Sequence, residues 1–174
     1  ESDLIDFKDL NNLNELKIYD FIFIALHGFE GESGKLQKDL NDLNILYSGS
    51  GPEACSKTWN KKITKKILKE NNINTPISIG ISEFSYQVAN NGLNISPYDC
   101  FRPFNYLFLK PDEDGSSIDI FKISDDESLK NAYKKCTNNK RGFLFEEYIE
   151  GRELTVTVID KECFPPIEII TKNE

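Results

Sequence analysis

An apolar stretch, Tyr106-Leu-Phe-Leu109, runs into Lys110 and is stopped by Pro111. Asp112-Glu-Asp-Gly-Ser-Ser117 follows, and a second strand opens at Ile118. Proline cannot donate to a strand ladder, while glycine and serine support a tight reversal. The segment 106–122 therefore reads as strand–loop–strand, and the rest of the chain must supply partners for both strands. A loop of this make-up can also close over a polyphosphate. Glycine lets the backbone approach closely, N–H groups and hydroxyls donate to phosphate oxygens, and Lys110 adds a fixed positive charge. Taken alone, a Gly-Ser hairpin tip is an ordinary solvated turn.

At 174 residues the chain is one large domain or two small ones, long enough to bury a core. Its net charge of −8 argues against nonspecific nucleic-acid binding, which needs a basic surface. No run approaches the roughly 18 apolar residues of a membrane span. Cys55, Cys100, Cys136 and Cys163 lie far apart with no C-x-x-C pair. They read as ordinary thiols of a reducing compartment, with neither a disulfide framework nor a zinc site. His27 is the only histidine, which excludes chemistry that needs several. The chain opens on Glu1 and contains no Met, so it reads as a fragment, a trimmed chain or a sequence missing its disordered parts.

Along the chain, Leu10, Leu13 and Leu16 are spaced as a short helix. Asp20-Phe-Ile-Phe-Ile-Ala-Leu26 is a continuous apolar run that suits a parallel strand buried on both faces. His27-Gly-Phe-Glu-Gly-Glu-Ser-Gly34 follows, a loop at a strand's C-terminal end, where open α/β sheets place ligands. A helix over 35–44 and a short strand over 45–47 complete a βαβ unit. Pro52 opens a helix expected to run to about Asn72, with Cys55, Trp59, Ile63, Ile67 and Leu68 as its buried stripe. Asn71-Asn-Ile-Asn-Thr-Pro76 is a connector and the expected boundary between a 1–75 domain, with its linking helix 52–72, and a 76–174 domain. Residues 77–81 read as a strand, 82–92 as a helix and 90–103 as a loop. Ser124 and Glu127 form a capping box for a helix reaching about Cys136. Arg141–Ile149 is a strand running into a connector. Leu154–Ile159 alternates like a half-buried strand, paired with Phe164–Ile170. The order predicts an α/β fold: a parallel α/β N-terminal part followed by an α+β module.

Six short pieces in this order resemble the D-alanine–D-alanine ligase family of the ATP-grasp superfamily. They are Ala25-Leu-His-Gly28 with Gly31-Glu-Ser-Gly34, Tyr47-Ser-Gly-Ser-Gly51, and Asn60-Lys61 with Thr64-Lys65. After them come Lys110–Ser117, Phe145-Glu-Glu-Tyr-Ile-Glu-Gly-Arg-Glu153 and Phe164-Pro-Pro-Ile-Glu168. The resemblance spans about residues 20–170. It implies that residues 76–174 form the small nucleotide-binding subdomain of an ATP-grasp fold. It also implies an ATP-dependent ligase that joins two D-alanines through an acyl phosphate for peptidoglycan precursor synthesis.

By resemblance, Lys61 and Lys110 bind ATP phosphates, Ser116 is the catalytic loop serine and Ser117 a phosphate donor. Glu146 accepts from the adenine amino group, Glu147, Tyr148 and Ile149 line the base through backbone and apolar contacts, and Glu153 holds the ribose hydroxyls. His27 stands near the first D-alanine. Expected ligands are ATP, D-alanine and Mg²⁺, with the metal's own ligands outside this chain. The resemblance further implies a cytoplasmic protein (plastid in a plastid-bearing source), a possible homodimer, and no membrane or nucleic-acid partner. Singly, each residue has an ordinary explanation: Lys61 sits in a lysine run, and Glu146 and Glu147 are two carboxylates on a strand. The family's N-terminal glutamate, lid tyrosine and metal ligands are expected outside residues 1–174. Asp119 stands where the family usually has glycine, which makes the loop more negative. Two alternatives stay open: a catalytically silent nucleotide-binding domain of a degenerate or tandem protein, and another ATP-grasp carboxylate–amine ligase.

Overall fold

A computed structural model describes residues 2–82, 106–115, 118–137 and 141–170. The helix expected over 82–92 and the loop over 90–103 lie, from residue 83 on, outside the described residues, as do Cys100, Ser116 and Ser117.

The N-terminal part packs one small core. Two 3-10 turns, Phe7–Asp9 and Leu13–Ile18, replace the expected short helix and are capped by the side chains of Asp6 and Asn12. Both cap residues accept a backbone N–H two positions on. Helix α1 (Phe29–Glu32) and helix α2 (Lys35–Asp42) follow, and α2 ends at Asn44 with φ 58°. Leu36 and Leu40 of α2 meet Leu16 and Ile45, with Ile22, Ile24, Leu26 and Tyr47 packed around them.

The parallel pairing expected between 20–26 and 45–47 is present but shrinks to one bridge, Ile22 to Tyr47. The Ile22 N–H donates to the Leu46 carbonyl at 2.8 Å, and the Ser48 N–H donates to the Ile22 carbonyl at 2.9 Å. Among the described residues only one face of this segment is covered, a correction to the reading of a strand buried on both. Ile22, Ile24 and Leu26 turn towards α2, while Phe21 and Phe23 are 54% and 78% exposed. An apolar run fixes that side chains want burial; it does not say what lies over each face.

The long helix expected over 52–72 is two helices, α3 (Pro52–Trp59) and α4 (Lys61–Glu70). Asn60 breaks them apart: its φ and ψ are extended, and its side chain accepts from the Ile63 N–H at 3.0 Å as an N-cap. The break resets the helical phase. Of the expected stripe Cys55, Trp59, Ile67 and Leu68 are half-buried, but Ile63 is exposed, and Lys61, Thr64 and Lys65 join the inward face of α4.

The C-terminal part is built on a four-stranded antiparallel sheet in the order β1 (Ser78–Gly80), β4 (Phe143–Glu147), β2 (Leu107–Pro111), β3 (Phe121–Ile123). The second strand of the hairpin therefore starts three residues later than the sequence suggested. Helix α5 (Asp126–Thr137) covers one face, packing Leu129, Ala132 and Cys136 on Leu107, Leu109, Ile123, Phe143 and Phe145. Its cap is Asp125, not Ser124. The Ser128 N–H donates to the Asp125 carboxylate at 2.7 Å, and the Ser128 hydroxyl accepts the Asp125 N–H at 3.1 Å. Serine thus closes the box from the third helical position, where glutamate usually does.

The single hairpin expected from Leu154 to Ile170 splits into two ladders, β5 (Glu153–Thr155) with β8 (Ile167–Ile169) and β6 (Val158–Ile159) with β7 (Glu162–Cys163). Between them one residue, Val156, faces two, Pro165 and Pro166. Neither proline can donate, so the ladder slips there by one residue. Every residue from 151 to 170 is exposed, which corrects the half-buried reading. No helix among the described residues is long and apolar enough to cross a membrane.

Candidate functional site

The register of the sheet sorts its side chains. Leu107, Leu109, Phe145 and Glu147 fall on the α5 face, whereas Phe108, Lys110, Glu146 and Ser78 fall on the other. The consecutive pair Glu146 and Glu147 is thereby split between the two faces, and only Glu146 joins Lys110.

Glu146 is 7% exposed and carries a lysine on each oxygen. Its Oε2 lies 2.6 Å from the Lys65 ammonium, and its Oε1 accepts from Lys110. Burial pushes this carboxyl up, but the two ammonium groups outweigh it and hold Glu146 below the usual carboxylate range. Lys65, 8% exposed, also donates to the Thr75 hydroxyl at 3.0 Å and the Pro76 carbonyl at 2.8 Å. All three of its donor directions are used, so it anchors Glu146 and has no donor left for a ligand. Lys110 leans 4.9 Å from the Phe108 ring centroid and stays more open than Lys65.

The break at Asn60 brings Lys61 to the same place. Its N–H donates to the Asp112 carbonyl at 2.8 Å, and its ammonium donates to the Asp114 carbonyl at 2.7 Å. Asn60 donates through Nδ2 to Glu113 at 3.0 Å, tying the start of α4 to the loop after β2. Burial and the neighbouring positive Lys110 push the Lys61 ammonium below its ordinary value, partly offset by Asp114, Asp112 and Glu146. Among the described residues Lys61 has no ion-pair partner. Two close ammonium groups, one short of counter-charge, form a seat for an anion with several charged oxygens.

At the far end of the same face stand three rings. Tyr148 packs edge-on to Tyr106 at 5.7 Å and tilted against Phe108 at 5.4 Å, with the Lys122 ammonium over both tyrosines at 4.3 and 4.6 Å. The N–H groups of Glu147 and Tyr148 are taken by the Ile77 and Tyr106 carbonyls, so these residues offer a ligand no backbone donor. A flat ring beside Tyr148 would meet aromatic surface, and a charged group beyond it would meet Lys110 and Lys61.

The other expected residues are placed less closely. His27 is 85% exposed, with Nδ1 3.3 Å from Glu32. It ends the 20–26 segment just before Gly28, which has φ 77°. A Cβ on Gly31 would sit 2.2 Å from the Leu26 carbonyl oxygen, so this loop closes only around glycine. Ile149 is exposed, and Glu153 is exposed at the head of β5, opposite Ile169. Ser116 and Ser117 lie outside the described residues, but both flanks of their loop are described. Arg141 pairs with Asp114 on one flank and Asp119 on the other. Asp119 is therefore not the unneutralised carboxylate that the sequence implied.

The sequence reading gave no role to Lys65, Phe108, Lys122 or Arg141. Asparagine at position 60 was the available signal for Lys65, because a cap there rephases the helix. Among the described residues no group of three or more His, Cys, Asp or Glu side chains could hold a metal ion.

Residues 99–174 match the family described as D-ala D-ala ligase C-terminus. A D-alanine–D-alanine ligase of Clostridium botulinum is 34% identical over 167 residues, 95% of this chain and 52% of the relative. The fold agrees. The crystal structure of the Bacillus anthracis D-alanine–D-alanine ligase complexed with ATP superposes with a TM-score of 0.74 at 30% identity, over 95% of this chain and 54% of that one. By sequence and by structure this chain is similar to D-alanine–D-alanine ligases. Its fold is the ATP-grasp fold of these ligases, with mixed helix and sheet. The VanG D-Ala:D-Ser ligase of Enterococcus faecalis also superposes, with a TM-score of 0.65 at 26% identity over 83% of this chain and 41% of its own. The chain spans about half the length of the curated relatives it matches.

Proposed function

We propose that this chain carries the nucleotide-binding part of an ATP-dependent D-alanine–D-alanine ligase serving peptidoglycan precursor synthesis. The observation that supports it most is the convergence of Lys61 and Lys110 on the open face of the sheet, with Lys65 and Glu146 fixing Lys110 from behind. In this reading Lys61 and Lys110 bind the phosphates of ATP, with Ser117 as a further donor. The rings of Phe108 and Tyr148 hold the adenine. Glu146 keeps lone pairs for the adenine amino group, Glu147 and Ile149 complete the connector beside it, and Glu153 meets the ribose.

The reaction would begin with a D-alanine carboxylate oxygen attacking the γ-phosphorus as ADP leaves. The amine of the second D-alanine then attacks the acyl carbon, expelling inorganic phosphate, losing a proton and forming the amide. Catalysis of this kind is chiefly positioning and charge stabilisation. Ser116 and His27 would orient the first substrate. Mg²⁺ would offset phosphate charge, and the described residues offer no cluster to hold it. Domains divided at residue 75, a cytoplasmic location and a homodimer go with this reading.

The test is phosphate release from Mg-ATP by the full-length protein, with and without D-alanine. Release that depends on D-alanine is expected. Nucleotide binding without release would replace this reading with a silent nucleotide-binding domain. Since a D-Ala:D-Ser ligase shares the fold, D-serine as second substrate belongs in the same assay.

A further inference from the structure

Residues 60–62 at the head of α4 lie antiparallel to residues 112–114 at the end of β2, bridged at Asn60 and Glu113. Lys61 gives its N–H to the Asp112 carbonyl and its ammonium to the Asp114 carbonyl, both backbone oxygens. The Asp112 carboxylate goes to the next residue along. Its Oδ2 lies 2.6 Å from the Lys62 ammonium, while its Oδ1 is buried with no hydrogen-bond partner among the described residues. Two glycines make room for this pair. A Cβ on Gly142 would sit 2.2 Å from Asp112 Oδ2, and a Cβ on Gly80 would sit 3.0 Å from Lys62 Nζ. The register that sets Lys110 opposite Leu144 runs on to Asp112 and Gly142, whose carbonyl accepts the Asp112 N–H at 2.9 Å. Two residues on from Lys110, the carboxylate therefore stands on the same open face of the sheet.

We propose that Lys62 is a positioning residue for phosphate binding: it occupies the Asp112 carboxylate and so keeps the Lys61 ammonium available to the anion. Asp112 is within electrostatic reach of that ammonium. Burial and Lys110 push Lys61 below its ordinary value, and Asp112 is among the charges that oppose them. The Asp112 side chain is only 13% exposed, so water covers little of it. A carboxylate buried to this degree and stripped of its cation is costly, and it turns to whatever positive group is near. Lys61, whose backbone it already holds, is such a group. That exchange would put a negative charge into the seat and repel an incoming polyanion. A mere tie between α4 and β2 would need both members of the pair equally. A guard needs Lys62 only while Asp112 carries its charge. This inference rests on the nucleotide reading above.

The experiment compares Kd for Mg-ATP and for adenosine in the full-length protein by titration calorimetry, for the parent, Lys62→Met, Asp112→Asn and the double variant Lys62→Met/Asp112→Asn. Lys62→Met should weaken Mg-ATP by about tenfold and leave adenosine unchanged. Asp112→Asn should bind Mg-ATP as tightly as the parent or tighter, and the double variant should regain most of the loss. Weaker Mg-ATP binding in Asp112→Asn, or no recovery in the double variant, would make the pair a structural tie and overturn the inference. So would parental Mg-ATP affinity in Lys62→Met, or equal losses for ATP and adenosine. Were Lys62→Met not to fold, Asp112→Asn alone would decide, by whether its Mg-ATP binding weakens. Failure of the parent itself to bind ATP overturns the nucleotide reading, and this inference with it.

Discussion

Lys65 and Lys66 are neighbours on one helix with the same chemistry, and the structure assigns them opposite energetic weights. Lys65 is buried, lies 2.6 Å from Glu146 and donates to Thr75 and Pro76 as well. Lys66 is 75% exposed and, among the described residues, reaches Glu70 at 3.8 Å. Removing one partner of a buried ion pair costs about 3–5 kcal/mol. Lys110 still holds the other oxygen of Glu146, so the carboxylate is not left bare, and the lower end applies. Lys65→Met, which keeps most of the stem, should therefore destabilise by about 3 kcal/mol and lower Tm by about 6–12 °C for a chain of this size. Lys66→Met should stay within about 0.5 kcal/mol. Urea denaturation with a shared m-value measures both. A Lys65→Met cost below about 1 kcal/mol would mean that Lys65 is another solvated helix lysine, and the account of how Lys110 is fixed would fall with it.

The remaining predictions concern acid stability, loop closure and thiol chemistry. Glu146 has a depressed pKa in the folded state, so its contribution is present above its ordinary value of 4.5 and is lost as pH falls through the lower folded value. Glu146→Gln should flatten that acid limb of the stability curve, and an unchanged limb contradicts the paired state. Gly31→Ala places a Cβ against the Leu26 backbone carbonyl, which no side-chain motion can relieve. It should cost about 2–3 kcal/mol in the same denaturation assay, and a neutral result would refute the packing. Cys136, buried on the inner face of α5 and beside Asp119, has its thiol pushed up to about 11 by burial, so at pH 8 it should resist alkylation until the protein unfolds. Exposed Cys163 should label at once, and peptide mapping that finds Cys136 labelled in the native protein would contradict its burial.

Much of the hairpin half was legible because its information is local. Unbroken apolar runs at 106–109 and 143–145 fix two strands, and the period of two puts Glu146 and Glu147 on opposite faces without further knowledge. Lys61 and Lys110 could be named from their motifs. The role of Lys65 could not, since a lysine run looks solvated until Asn60 rephases the helix and turns position 65 inward. Arg141 was hidden for a different reason. Its partners lie 27 and 22 residues away, and no local pattern reports a pairing across a sheet. The run 20–26 misled because hydrophobicity predicts a need for cover without naming the cover, and Phe21 and Phe23 remain exposed among the described residues.

The central claim is that Lys61 and Lys110 seat the phosphates of a nucleotide. The most direct measurement is the thermal shift induced by Mg-ATP in the parent, in Lys61→Ala and in Lys110→Ala, each against its own nucleotide-free baseline. A nucleotide at 100 times its Kd should stabilise the parent by about 2.7 kcal/mol, or about 5–11 °C. The account predicts that this shift collapses in both lysine variants. A shift of parental size in either would place the phosphates elsewhere.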